Sequence, residues 1–411
     1  MLLARFFGDC KAGVAPLLAL GAIPLIGSVG AAIDYSRASS ARTAMQGALD
    51  AAAIMMSKQG VQALGDNLSQ KATNYFTANF ARPELDNLAV SATSSPVTGG
   101  TAFNLSADGS VATQFMRLLG FQTMPVAVHA SAVAVADGLG CVLSLDPSAS
   151  GAMTGQGSTT VNLSGCSIYD NSSHSTAALS VGGSAAISAL SVGVVGGVSG
   201  QANITTEHGV RTGIAPVQDP YANSYFPNFL GCNETNFDAK DTVAINPGVY
   251  CGGMKLTAGA NVTLNPGIYY IDGGDLTVQG GATLTGTGVT LVFTKKSSNS
   301  WANATINGNA TINLTPPKSG PTAGIVMFGD RNMPAGTLFK LNGGSTQYLG
   351  GAVYIPKGAI QFSGGSSANT GTSCTQVIGN TVTFTGNSAL AINCSSYETK
   401  PFSAVLIKLA S

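Results

Sequence analysis

"NPGVYCGGMKLTAGANVTLNPGIYYIDGGDLTVQGGATLTGTGVTLVF", residues 246–293, carries the pattern on which the fold turns. The pentapeptide NPGVY at 246–250 returns as NPGIY at 265–269, 19 residues later. GANVTL at 259 is echoed by GATL at 281, 22 residues on, and NATIN occurs at 303 and again at 309. Short runs of Val, Ile, Leu and Thr end in Gly, Asn or Asp corners, and helical periodicity is absent beyond Gly138. A return near 20 residues marks a repeat architecture in which each unit buries its apolar side against the next. The expectation is an all-β parallel β-helix, or solenoid, over 139–411, with successive coils about 4.8 Å apart. Val262, Leu264, Leu284 and Leu291 would form its apolar ladder. A β-sandwich is the competing fold, since short alternating strands permit it too.

The cysteines support the coil reading. Cys10 stands apart, before an apolar segment. The other six fall into neighbours, Cys141 and Cys166, Cys232 and Cys251, Cys374 and Cys394, separated by 25, 19 and 20 residues. Residues one coil apart lie nearly above one another, about 4.7–4.9 Å away. That falls inside the roughly 4.4–6.8 Å Cα window of a disulfide. Three bonds stapling adjacent coils are therefore expected, in an oxidising compartment. The spacings do not suit zinc, and no metal or cofactor is expected.

Upstream, residues 12–33 (AGVAPLLALGAIPLIGSVGAAI) contain no ionisable side chain. As a helix rising about 1.5 Å per residue, the run spans roughly 33 Å, enough for a bilayer core. Pro16 and Pro24 are tolerated in such a helix. The alternative, a cleaved signal peptide, has a shorter apolar region. Beyond it Ala38, Ala41, Met45, Ala48, Leu49 and Ala52 recur at three and four, so residues 1–60 read as an anchor continued by an amphipathic stalk. Residues 61–138 read as a small α+β module: helix to about Phe80, strands in LAVSATS and TAFNLSAD, a short helix in VATQFMRLLG, and a strand in PVAVHASAVAVA. With the cysteines downstream of the span, the N-terminus is expected in the cytoplasm.

"GVAPLLALGAIPLIGSVGAAIDYSRASSARTAMQGALDAAA", residues 13–53, resembles the N-terminus of the TadG-like proteins associated with Tad (Flp) pilus assembly in bacteria. The likeness is strongest in AIDYSRA and ALDAAA, and it extends more loosely through FMRLLGFQTMPVAVHASAVA. It implies a single-pass inner-membrane anchor with the bulk in the periplasm or at the cell surface. It also implies partners among other Tad pilus or envelope proteins. Tad pilins are cut after a Gly and carry a Glu at the fifth mature position, whereas here Leu18 follows Gly13 at that place. Pilin-type processing is not expected.

Five stretches invite a closer reading. LSLDPSAS, with Asp146, Ser148 and Ser150, has the Asp-x-Ser-x-Ser spacing of an A-type metal domain. The Gly/Thr-rich continuation is no helix, however, so a Pro-containing turn is expected. Asp272 and Asp275, or Asp330 and Arg331, could serve a polysaccharide-cleaving solenoid, but the two glycines between Asp272 and Asp275 suit a corner better, and Asp330 and Arg331 could equally well be a surface turn. The aromatic insertion DPYANSYFPNFLGC brings Tyr221, Tyr225, Phe226 and Phe229 together among prolines. It would either cover the solenoid flank or offer a partner or glycan surface. KPFSAVLIKLAS reads as a last strand that closes the stack or pairs with a partner.

Composition bounds the function. Charged residues make up 9% of the chain, against roughly 25% in ordinary soluble proteins. Lys plus Arg equals Asp plus Glu, 19 each, so there is no surplus of cations for nucleic acid. The three histidines, His129, His174 and His208, are scattered. The expectation is a structural envelope component and not an enzyme. A carbohydrate-binding or adhesive solenoid is the alternative, and a polysaccharide lyase or hydrolase the third reading.

Overall fold

The computed structural model describes residues 14–64, 67–97, 100–297, 299–342, 347–362, 366–367, 374–391 and 396–410. Cys10, Cys394 and the first two residues of the expected membrane span lie outside them. The described chain forms two compact units. One holds the N-terminal elements together with the last strand, and the other is Ala136–Ala404.

In the first unit α1 (Val14–Leu64) is one continuous helix with Pro24 inside it. Ala38, Ala41, Met45, Ala48, Leu49 and Ala52, spaced at three and four, are all buried. They pack with Ala72 and Phe76 of α2 (Leu68–Asn79) and with Phe103, Leu105 and Ala107 of the sheet. Alanine at most of these positions lets backbones approach closely, and the large rings fill what remains. That sheet joins β1 (Leu85–Val97), β2 (Gly100–Ala112) and β3 (Thr123–Ala136) in antiparallel register. Val126, Val128, Ala130, Ala132 and Ala134 of β3 face the helix side in strict alternation, the pattern of a half-buried strand.

Three expectations are corrected here. The helix is not a stalk set apart at residue 60, because its alanine face needs the sheet to cover it. The second helix begins at Leu68, and the short one is a single 3-10 turn, Met116–Leu119. The C-terminal strand, Val405–Ala410, does not end the repeat region; it adds beside β3. Among the described residues no helix is long and apolar enough to cross a membrane.

The second unit is built from parallel sheets. One set of strands, Thr242–Ile245, Asn261–Leu264, Thr283–Thr287, Thr311–Thr315 and Gln347–Leu349, pairs in sequence order. The return lengthens along it: Val243 faces Val262, Val262 faces Leu284, Leu284 faces Ile312 and Ile312 faces Gln347, offsets of 19, 22, 28 and 35. The two NATIN segments are therefore not one winding apart. The strand at Ala304–Ile306 pairs with Leu276–Val278, while Thr311–Thr315 pairs with Thr283–Thr287 in a different sheet.

The order of strands in space differs from the order in sequence. Starting at Glu234–Ala239, parallel neighbours run through Gly248–Leu256, Gly267–Asp272, Val289–Thr294, Ile325–Gly329 and Gly351–Phe362 to Thr375–Phe384. The next neighbour is Gly140–Ser144, from the start of the unit, followed by Ser167–Asp170, Val192–Val194 and Val210–Thr212. Ser388–Ala391 likewise pairs with Thr160–Ser164. The chain thus enters in the middle of the stack and winds to one end. It then crosses to the other end and winds back to its starting point. A single column of residues passes through the join without a break: Leu291, Met327, Val353, Val377, Val142, Ile168 and Val192, all buried.

Cys141 is bonded to Cys166 and Cys232 to Cys251, each with Cα atoms 5.7 Å apart, close to the winding separation. Cys374 is also disulfide-bonded. Non-reducing peptide mapping should recover the first two links, and a Cys166–Cys232 peptide would contradict the winding order. Leu284→Ala should cost about 2–5 kcal/mol in denaturant melts, since the column cannot collapse around the missing atoms. Leu284 is buried between Val262 and Ile312.

Candidate functional site

The segment between Thr212 and Glu234 makes no strand, yet it has to cross the whole stack. Its anchoring is done by side chains. Asn171 holds Val217 through both its amide groups, at 2.8 Å each. Tyr221 is fully buried; its hydroxyl donates to Gln376 Oε1 and accepts the Lys400 N–H, both at 2.9 Å. Asp219 accepts the Tyr354 hydroxyl at 2.7 Å. The Arg331 guanidinium donates to the carbonyls of Ser224 and Tyr221 and lies over the Phe328 and Tyr354 rings. Phe226 meets Phe328 edge-on at 5.3 Å, and Phe229 covers Tyr270 at 4.4 Å. Tyr270 in turn donates to the Pro227 carbonyl, and Lys296 donates to that of Phe229. The Cys232–Cys251 bond ends the crossing.

The strap therefore touches successive windings in reverse order, from the Thr375 strand back to the Gly248 strand. Of the four aromatic residues singled out in sequence, Tyr221 is an anchor, Phe226 and Phe229 are half-buried lids, and Tyr225 is exposed with Leu230 beside the lids. Burial and the nearby Asp219 carboxylate both raise the Tyr221 hydroxyl above its ordinary range. It stays a neutral donor. Arg331, read from sequence as one half of a surface turn, is instead the main polar tie of the strap; no local signal marked it.

The acidic residues serve corners. Asp146 Oδ1 accepts the N–H groups of Ser148 and Ala149 at 3.0 and 2.8 Å, and Oδ2 takes the Asn380 amide at 3.0 Å. Burial opposes ionisation, but these donors hold the carboxyl below its usual range. Asp272 accepts the N–H groups of Lys296 and Ser297. Asp330 accepts the Thr294 hydroxyl and the Asn332 N–H. Burial raises the Asp275 carboxyl above its ordinary range. Among the described residues no group of three His, Cys, Asp or Glu could hold a metal ion.

The N-terminal unit holds one more constellation that the sequence reading did not single out. Asp34, in the AIDYSRA motif, is buried, and its carboxylate accepts three backbone N–H groups: Gln114 at 2.8, Phe115 at 2.9 and Met116 at 2.7 Å. Burial works against its charge, yet the three donors and Arg37 hold its carboxyl below the ordinary value of 3.8. Arg37 also donates to the Ala112 carbonyl at 3.2 Å. The carboxylate thus fixes the β2–β3 connection to α1.

Two outcomes follow. Tyr221→Phe should cost about 1–3 kcal/mol, because Gln376 and the Lys400 N–H lose their partner, while Tyr225→Ala should stay within about 0.5 kcal/mol of wild type. A depressed folded-state pKa stabilises the fold above the unfolded value and is lost as pH falls through the folded one. Asp34→Asn should therefore lower the melting temperature at neutral pH, and the gap to wild type should close as pH falls below 3.8.

No curated protein and no solved structure matches the chain. A family model described as "Putative Flp pilus-assembly TadE/G-like" matches residues 13–57, a range that includes the alanine face of α1 and Asp34. The N-terminal segment of this chain, residues 13–57, is thus similar to TadE/G-like Flp pilus-assembly sequences.

Proposed function

We propose that the protein is a structural component of a Tad/Flp-type pilus or secretion apparatus, accessory or minor-subunit-like, which works by anchoring and scaffolding and makes or breaks no bonds. The observation that carries this reading is the TadE/G-like match over residues 13–57. Within them α1 runs on from Val14, exposes Leu20, Leu25, Ile26 and Val29, and is sheet-covered from Ala38 on. In this reading the apolar run 12–33 is a single-pass inner-membrane anchor with a cytoplasmic N-terminus. The Ala136–Ala404 unit is then a periplasmic or surface-exposed β-solenoid. Its parallel pairing at one-winding offsets and its Cys141–Cys166 and Cys232–Cys251 disulfides support that. The corner roles of Asp272 and Asp330 support a non-enzymatic role, since each carboxylate is occupied by backbone or hydroxyl donors.

A second reading, a glycan-binding surface on the strap, draws on the exposed Tyr225 and Leu230. Glycan-array binding that is lost in Tyr225→Ala would favour it. For the first reading, in-cell crosslinking of the full-length chain should capture Tad components from the membrane fraction. Deletion of the gene should impair pilus assembly or secretion; intact pili and secretion after deletion would overturn the proposal.

A further inference from the structure

Leu20, Leu25, Ile26 and Val29 of α1 are exposed, Leu20 to 69% and Leu25 to 65%, and Gly30 and Asp34 are buried. At that level the β2–β3 connection crosses it. Phe115 lies so close to Gly30 that a Cβ there would stand 2.5 Å from the Phe115 Cβ. Asp34, one turn on, clamps the same connection through the three N–H groups of residues 114–116. Past the clamp the chain makes the 3-10 turn and points its apolar side chains away from the unit. Leu118 is 86%, Leu119 64% and Phe121 59% exposed, beside Arg117.

Among the described residues nothing covers these side chains, and water is a poor neighbour for three of them in four residues. Their position matters more than their number. Asp34 is the first ionisable residue after Lys11, so the apolar run ends at the level where the turn projects. Tyr35 is exposed there too, and Arg37 and Arg117 flank the turn. Apolar tips with aromatic and cationic neighbours are the composition of a membrane interface, where rings sit at headgroup depth and Arg meets lipid phosphate.

We propose that the turn Phe115–Phe121 is a second membrane contact, inserted into the interfacial layer of the leaflet from which α1 emerges. It rests on the anchor reading of α1. Asp34 and the Phe115–Gly30 packing hold the turn at fixed depth, so the N-terminal unit is seated on the bilayer at two points and cannot swivel freely about its helix. A protein partner covering the same side chains is the competing occupant, and continuity with the apolar run favours lipid.

The test uses the full-length chain carrying Trp301→Phe, with either Leu25→Trp or Leu119→Trp, in phosphatidylethanolamine/phosphatidylglycerol vesicles with brominated acyl chains. Both positions are exposed, so the fold is undisturbed, which circular dichroism checks. Expected is a blue shift with loss of more than half the emission for both variants, the Leu119→Trp signal responding most to bromine near the headgroup. If Leu25→Trp is quenched and Leu119→Trp is not, the anchor stands and the second contact is overturned. A Leu119→Trp emission that is blue-shifted but unquenched by lipid would assign the turn to a protein and also overturn it. If neither variant is quenched, the anchor reading itself fails, and this inference with it.

Discussion

Everything in the larger unit depends on the in-register stacking of parallel strands. Each strand gives its backbone groups to the windings on either side, and buried apolar side chains stack on those of the neighbouring winding. The column from Leu291 through Val353, Val377 and Val142 to Val192 shows what this permits. Contacts are made with neighbours only, so the stack is indifferent to which chain segment supplies the next winding. That indifference is why the strand at Thr375–Phe384 can be followed by the one at Gly140–Ser144 with no gap in the core.

Entering the stack in the middle has a structural cost, a crossing from one end to the other, and the aromatic strap is the answer to it. A segment without strand pairing has unsatisfied backbone groups along its length. Here Asn171, Arg331, Tyr270 and Lys296 supply donors or acceptors to it, one winding after another. The rings of Tyr221, Phe226 and Phe229 exclude water between those ties. The corners follow the same logic with carboxylates, as Asp146, Asp272 and Asp330 show. A chain in which charged residues are only 9% uses these carboxylates to terminate backbone donors.

In the N-terminal unit the equivalent constraint is the small-residue face of α1. It lets the helix lie on β2 and α2, and the buried Asp34 then fixes the one connection that passes near its uncovered part. Both features lie inside the TadE/G-like segment.

How much of this was legible from residues alone varied with range. The NPGVY/NPGIY return is visible because the offset is 19 there. In the structure the Asn265 amide donates to Asn246, and the Tyr250 and Tyr269 hydroxyls each donate to the carbonyl of the Asn four residues back. Later windings return after 28 and 35 residues, so the repeat fades from the sequence while the pairing continues. The two NATIN segments misled for the converse reason: similar corners occur within one winding. The helical period of Ala38 to Ala52 was equally clear, being local.

By itself, then, the sequence determined what short-range chemistry can: the helix and its small-residue face, the β character of the remainder, the turn residues, and cysteine neighbours at one-winding spacing. Tertiary structure alone decided the rest. It placed the first winding against the last and made the aromatic stretch a strap. It also moved the final strand to the sheet of α1 and brought Asp34 under residues 114–116. Each of these joins residues tens to hundreds of positions apart through a hydrogen-bonded edge or a buried carboxylate. An edge or a carboxylate can accept any partner of matching shape, so no pattern in the chain names which one it meets.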